Sequence, residues 1–177
     1  MWRSALPVIL VILSLALPPV QAGEPAAAIP AEESARPPGR SGLPVPRFVS
    51  LRAGEVNVRA GPGFRYPIEW VYRRAGQPVE IIDEYETWRR IRDWEGTLGW
   101  VHQSMLQGRR NVRLEGEEQL LRGEAARNGT PLARVEPGAI GALRRCRSDW
   151  CEVDFSGHVG WLPRDSVYGI YPDETLD

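Results

Sequence analysis

The sequence predicts an all-β chain: two tandem small β-barrels, preceded by an export leader and a low-complexity linker. Three observations predict it. Short segments in which apolar and polar residues alternate follow one another closely, each bounded by Gly, Pro or acidic turn residues. A pattern of tryptophans and glycines occurs twice, once in the second half of each proposed unit. And no window of helix length carries a clean 3.6-residue apolar stripe; the nearest, Glu115 to Arg127, contains two glycines. Closely spaced short strands with tight turns fit a small barrel or sandwich and not a βαβ fold.

The chain has 177 residues. Residues 1–22 read as a signal peptide: Arg3 supplies a positive start, Ala5 to Leu17 an apolar run, and Val20-Gln21-Ala22 the small residues of a cleavage site. The run is too short for a hydrocarbon core of about 30 Å. No integral membrane span is therefore expected once the leader is removed, and the expected location is periplasmic or secreted. Residues 23–46, rich in Ala, Pro, Gly, Ser and Glu, read as a disordered linker that cannot offset its own ordering entropy.

About 130 residues remain, which suits one ordinary domain or two small ones. Internal similarity favours two, at 47–114 and 115–177. Trp88 to Trp100 and Trp150 to Trp161 both read Trp-x-x-aliphatic and end Gly-x-aliphatic-Gly-Trp or its near equivalent, and Ala75-Gly76-Gln77-Pro78-Val79 resembles Pro137-Gly138-Ala139-Ile140. Charge divides at the same boundary. Residues 47–114 hold 12 arginines against 8 acidic residues (+4), and residues 115–177 hold 7 against 12 (−5); there is no lysine. This asymmetry suits either docking of the two units or two different ligand surfaces.

Within the first unit, Phe48 to Leu51, Val56 to Arg59, Ile68 to Tyr72, Val79 to Ile82, Trp88 to Arg92 and Leu98 to Val101 are the expected strands. Gly61-Pro62-Gly63-Phe64 suits a type II turn, with proline at the second position and a positive-φ glycine at the third. It ends the strand at Arg59 and sets Phe64 and Tyr66 on a loop. Gly99 and Gly160 are expected where a bulky ring from a neighbouring strand crosses the backbone. Trp100 and Trp161 are expected to cover one end of each barrel.

Asn57, Val58, Arg59, Gly61 and Pro62, then Gly76 and Val79, Trp88 and Ile91, and Gly96, Gly99, Trp100 and Val101 together resemble the bacterial SH3-like (SH3b) domain. The resemblance extends from Phe48 to about Val112. The second unit is degenerate: it keeps Trp150, Val153, Gly157, Gly160 and Trp161 but lacks the Asn-Val-Arg-x-Gly-Pro loop, of which Leu120-Leu121-Arg122-Gly123 is the candidate remnant. The resemblance implies SH3-like barrels, with Asn57, Arg59, Gly61, Pro62, Gly99, Trp100, Gly160 and Trp161 in structural roles. It also implies a link to cell-wall peptides and glycans.

Cys146 and Cys151 enclose a tetrapeptide that, as a hairpin loop, would set them directly opposite each other. Facing Cα atoms about 4.5 to 5.5 Å apart lie within disulfide range, and an exported chain meets an oxidising compartment. A disulfide of about 2 kcal/mol is expected; redox-active and metal-binding pairs rank below it, since the spacing is not Cys-x-x-Cys and no histidines cluster nearby.

No catalytic constellation is evident. His102 and His158 fall at different points of the two repeats, Gly61-Pro62-Gly63 lacks a following helix, and the paired carboxylates sit at turns. The chain is expected to be no enzyme and to need no cofactor or metal. Binding is the expected class. Phe64, Tyr66, Trp70, Tyr72, Tyr85, Trp88, Trp94 and Trp100 exceed what so small a barrel can bury, so some should form an aromatic surface beside Arg65, Arg73, Arg89 and Arg92. The candidate ligand residues are Arg65, Tyr66, Trp70, Tyr72, Trp88 and Trp94. They could hold an extended peptide against aromatic ridges and pair its carboxylates with arginine. The opposing reading makes the same aromatics core and the arginines solvated strand faces. The expected partner is cell-wall (peptidoglycan) peptide or glycan, or alternatively an exported protein held by an envelope adaptor. Nucleic acid is not expected, because the exported chain is acidic overall.

Overall fold

The computed structural model describes residues 37–176, and the proposed leader and residues 23–36 of the proposed linker lie outside them. Fourteen strands form two seven-stranded sheets. The first contains β1 (Arg47–Leu51), β2 (Val56–Arg59), β3 (Ile68–Tyr72), β4 (Pro78–Tyr85), β5 (Trp88–Arg92), β6 (Leu98–His102) and β7 (Leu106–Gln107). Its order is β3-β2-β6-β5-β4-β1-β7. The second contains β8 (Asn111–Leu114), β9 (Gln119–Arg122), β10 (Pro131–Val135), β11 (Ile140–Arg147), β12 (Trp150–Phe155), β13 (His158–Pro163) and β14 (Val167–Tyr168). Its order, β10-β9-β13-β12-β11-β8-β14, repeats the first strand for strand, seven positions on. A 3₁₀ turn precedes the last strand in each, at Gln103–Met105 and Arg164–Ser166.

The duplication extends to irregularities. The eight-residue strands β4 and β11 each carry a register shift, between Ile81 and Asp83 and between Leu143 and Arg145. Such bulges bend a long strand so that one strand serves both sides of a barrel. The tight hairpins after them place Glu86 and Ser148 at φ 48° and 46°, and Gly76 and Gly138 both stand at φ 79°.

Each interior is aliphatic. Leu51, Val56, Val58, Val79, Ile81, Ile91 and Val101 build the first core; Val112, Leu114, Leu121, Val153 and Leu162 build the second, with Cys146 and Cys151 among them. The cysteines form the disulfide, directly opposed across β11 and β12 with Cα atoms 4.1 Å apart. Trp161 is buried and Trp100 half-buried, but neither joins the aliphatic cluster of its barrel. Gly99 and Gly160 face inward, so by the two-residue period of a strand the indoles face outward. Trp100 stands opposite Arg59 and Arg90, and Trp161 opposite Arg122 and Glu152 with the Arg145 guanidinium 5.2 Å above its ring. The inward glycines do admit a close neighbour, but it is aliphatic. A Cβ on Gly99 would overlap Val58 Cγ1, and one on Gly160 would lie 2.7 Å from Leu121 Cγ.

Two further expectations are corrected, and the all-β reading holds at Glu115 to Arg127, the window nearest to a helical stripe. Asn111–Leu114, assigned from sequence to the first unit, pairs with β11 and β14 and opens the second sheet. Glu115 to Arg127 is no helix: Gln119–Arg122 pairs with β10 and β13, because Leu121 is needed as core opposite Gly160. The end of the proposed disordered linker is ordered. Residues 37–45 close a turn through Gly39 N–H to Leu43 O and Val45 N–H to Pro37 O, and Ser41 donates from N and Oγ to the buried Glu84 carboxylate. Glu84 also receives Arg47 at 2.8 Å and Arg89 at 3.3 Å. A buried carboxylate needs all its lone pairs satisfied, and this segment supplies two of the donors.

The barrels dock on each other. Phe48 meets Tyr168 edge-on at 5.1 Å and Tyr171 at 4.7 Å, and Arg113 lies 4.2 Å over Trp94. Tyr171 Oη donates to Glu80 at 2.8 Å, Tyr168 Oη to Arg92 O, Asn111 Nδ2 to Gly76 O, and Arg74 to Gly138 O. Burial raises the Tyr168 phenol, which keeps it a neutral donor across the pH range of the fold.

Two outcomes are expected. Gly99→Ala forces Val58 out of its rotamer and should cost about 1–3 kcal/mol in urea unfolding; an unchanged midpoint would show that β2 and β6 are not held this closely. Glu84 gives a pH signature. Burial opposes its ionisation, but the hydrogen bonds from Ser41 and Arg47 outweigh that and hold its pKa below the ordinary 4.5. A depressed acid contributes stability above its unfolded value and loses it as pH falls through the folded one. Thermal unfolding should therefore find Glu84→Gln less stable than wild type at pH 7, the gap closing below pH 4.5; a constant gap refutes the ionised carboxylate.

Candidate functional site

The loop between β2 and β3 shapes a concave surface of the first barrel. Its turn is not the type II turn expected. Gly63 is not among the positive-φ residues, and the loop closes instead through Gly63 N–H to Gly61 O and Tyr66 N–H to Gly63 O. Gly61 is required for packing: a Cβ there would meet the Tyr66 ring at 2.5 Å. Arg59 fixes the loop from below, its Nη1 donating to Phe64 O at 3.2 Å and Tyr66 O at 2.8 Å. Two carbonyls that a surface loop would leave to water are thus tied to one strand residue.

The result is that Phe64 is held over the start of β5 and the end of β6. Its ring lies 5.0 Å from Trp88, at 73°, and 5.8 Å from the His102 imidazole, at 29°. Trp88 and His102, directly paired in the register, meet edge-on at 5.4 Å. These three rings with Glu55, Asn57, Arg59, Ser104 and Met105 line a cleft of about 230 Å³. Trp88 is 6% exposed and forms the floor, while Phe64 is 74% exposed and forms a free wall. Ser104 N–H donates to His102 Nδ1, so the neutral ring carries its proton on Nε2, and Ser104 Oγ lies 2.7 Å from the same Nδ1. The pair is the cap of the 3₁₀ turn. Chemically the cleft offers aromatic faces, one imidazole and one carboxylate, which suits holding a small apolar or polar group.

The six candidate ligand residues do not form one surface, which corrects that expectation. Trp88 alone reaches the cleft. Arg65 and Tyr66 lie on the outer side of the loop, the guanidinium 5.2 Å over the ring, and Trp70 is exposed on the edge strand β3. Tyr72 is buried and donates to Asp93 at 2.6 Å; burial first, then that bond, drives its phenol pKa upward. Trp94 packs beside Tyr72, 6.0 Å away, under Arg113 of the second barrel. Strand parity alone would put Trp70 and Tyr72 on one face of β3, yet Trp70 is exposed and Tyr72, bonded to Asp93, is buried.

Asn57, Phe64 and His102 were not chosen as ligand residues from the sequence. Asn57 carried a usable signal, since it is the polar residue between inward Val56 and Val58 and so must face out. His102 carried none: its approach to Trp88 depends on the register of β5 with β6. Among the described residues no group of three His, Cys, Asp or Glu could hold a metal ion.

No curated protein matches the chain significantly. Solved structures that share part of its shape include two from Trichomonas vaginalis. The one described as NlpC2 is 12% identical, with a TM-score of 0.32 over 70% of this chain and 48% of that one. The one described as NlpC1 is 13% identical, with a TM-score of 0.32 over 69% and 45%. The chain spans about half the length of both. The family model described as the bacterial SH3 domain matches residues 52–108 and, separately, residues 115–169. The chain belongs to the bacterial SH3 domain family and carries two of its domains in tandem.

Proposed function

We propose that the protein is a non-catalytic binding module of the cell envelope, which holds cell-wall peptide or glycan at the Phe64–Trp88–His102 cleft. The observation that carries this reading is Phe64. A phenyl ring 74% exposed, on a loop whose carbonyls are held by the Arg59 guanidinium, contributes little to the fold and is placed to contact something else. A cleft of about 230 Å³ accepts one side chain or part of one sugar ring, so a longer ligand would run out along Asn57 and Glu55. The disulfide suits an oxidising compartment, in line with a periplasmic or secreted location.

A second reading, an adaptor for an exported protein, is favoured by one observation. The edge strand β3 leaves Ile68, Trp70 and Val71 exposed beside unpaired backbone groups, a surface to which an extended segment can add as a further strand.

Sedimentation with purified peptidoglycan separates the two. The protein should pellet, and Phe64→Ala should reduce the bound fraction by tenfold or more, the loss typical of an aromatic anchor. Trp70→Ala should leave it unchanged. Failure to pellet above an unrelated control protein, or pelleting that survives Phe64→Ala, removes the wall reading; dependence on Trp70 alone moves the weight to the edge strand.

A further inference from the structure

The second barrel repeats the geometry of the first cleft while replacing its chemistry. Its β9–β10 loop lacks the Asn-Val-Arg-x-Gly-Pro sequence, yet closes with the same bonds. Ala126 N–H donates to Glu124 O and Gly129 N–H to Ala126 O, as Gly63 does to Gly61 and Tyr66 to Gly63. Arg122 Nη1 donates to Gly129 O, as Arg59 does to Tyr66 O. The steric exchange is reciprocal. The first loop has a glycine at 61 and a ring at 66; the second has Glu124 and Gly129, where a Cβ would lie 2.7 Å from Glu124 O.

This correspondence fixes what stands where. Trp150 pairs with Pro163 in the register in which Trp88 pairs with His102, so the indole is kept and the imidazole is lost. The place of Phe64 falls to Arg127, that of Thr87 to Asp149, and that of Ser104 to Asp165. The wall that Phe64 provides is gone, and a new one is added. Arg164 donates to Tyr171 O and Glu174 O and draws the C-terminal segment across, bringing Pro172 and Ile170 to the rim. The cleft grows to about 670 Å³, within the usual range of small-ligand sites of about 300–1,000 Å³.

Arg127, Asp149 and Asp165 all line this cleft and are exposed, and none makes an ion pair or side-chain hydrogen bond among the described residues. Arg164 also lines the cleft, but its guanidinium is committed to Ser148 O, Tyr171 O and Glu174 O. One uncommitted cation and two carboxylates thus share the concavity around a half-buried indole.

We propose that this second cleft is a ligand site of its own, selective for a short peptide that carries two ammonium groups and one carboxylate. Asp149 and Asp165 receive the ammonium groups, Arg127 takes the carboxylate in a bidentate pair, and the aliphatic stem lies on Trp150. The first cleft, with its aromatic wall, has no equivalent for either charge at the Arg127 or Asp149 position. The inference does not depend on what the first cleft binds.

The test is a titration of the full chain with the dipeptide Lys-Ala, followed by the indole N–H resonances in two-dimensional NMR. A saturable shift of the Trp150 indole is expected. Binding should weaken at least tenfold in Arg127→Ala, at least tenfold in the double variant Asp149→Asn with Asp165→Asn, and at least tenfold for the C-terminally amidated dipeptide. It should persist in Phe64→Ala, which separates it from any failure of the wall reading. All three charged side chains are exposed, so preserved spectral dispersion in the variants shows that the fold is intact. No saturable shift at Trp150, or equal binding by the charge-removed variants, overturns the proposal.

Discussion

Each barrel depends on the close approach of two backbones at a glycine. The strands β2 and β6 meet at one register pair, Arg59 with Trp100, and β9 and β13 at the equivalent pair, Arg122 with Trp161. One residue before each tryptophan stands a glycine whose missing Cβ is replaced by Val58 or Leu121. The aliphatic side chain is thereby driven into the core, the arginine beside it is turned outward, and the indole is left on the outer face. A domain of this size has few core residues, and native packing density leaves no room for a methyl group at that point.

The position of the arginine then determines the loop. Arg59 and Arg122 project from the strand end that the glycine brings inward, and each binds carbonyl oxygens of the loop that follows. Loop conformation is therefore set from the strand and not from the loop's own sequence. This explains how Gly-Pro-Gly-Phe in one unit and Glu-Ala-Ala-Arg in the other adopt matching bonds. It also explains why the two clefts occupy the same place and differ in what they present: backbone geometry is inherited from the barrel, while the side chains at the rim are free to change.

Docking of the barrels draws on residues outside both cores. Phe48 and Ser50 alternate with core residues on β1, so that strand is covered on one face by its own barrel and on the other by the second; Ser50 Oγ donates to Arg109 O there. Glu80, nearly inaccessible, is satisfied by Arg92 from one barrel and Tyr171 from the other. Tyr168 and Tyr171 bring aromatic area and a hydrogen bond each, an economical way to cover a polar seam. Trp94, an obvious ligand candidate as an aromatic next to arginines, is consumed by the same seam.

The two-residue alternation, the repeated Trp and Gly positions and the cysteine spacing by themselves determined the all-β class, the tandem arrangement, the family resemblance and the disulfide. These are local patterns, or patterns repeated along the chain, and a strand exposes them directly. What faces what was decided by the tertiary structure. A tryptophan next to an inward glycine must face outward, yet only the pairing of β5 with β6 sets His102 against Trp88, and only the loop bonds carry Phe64 over both. The first strand of the second barrel looked like the end of the first because Asn111–Leu114 owes its place to Ile140–Ala142, far along the chain. Composition marked residues 37–46 as linker, and one buried carboxylate, Glu84, orders their latter part. In each case the deciding contact is between residues distant in sequence, and strand propensity carries no record of it.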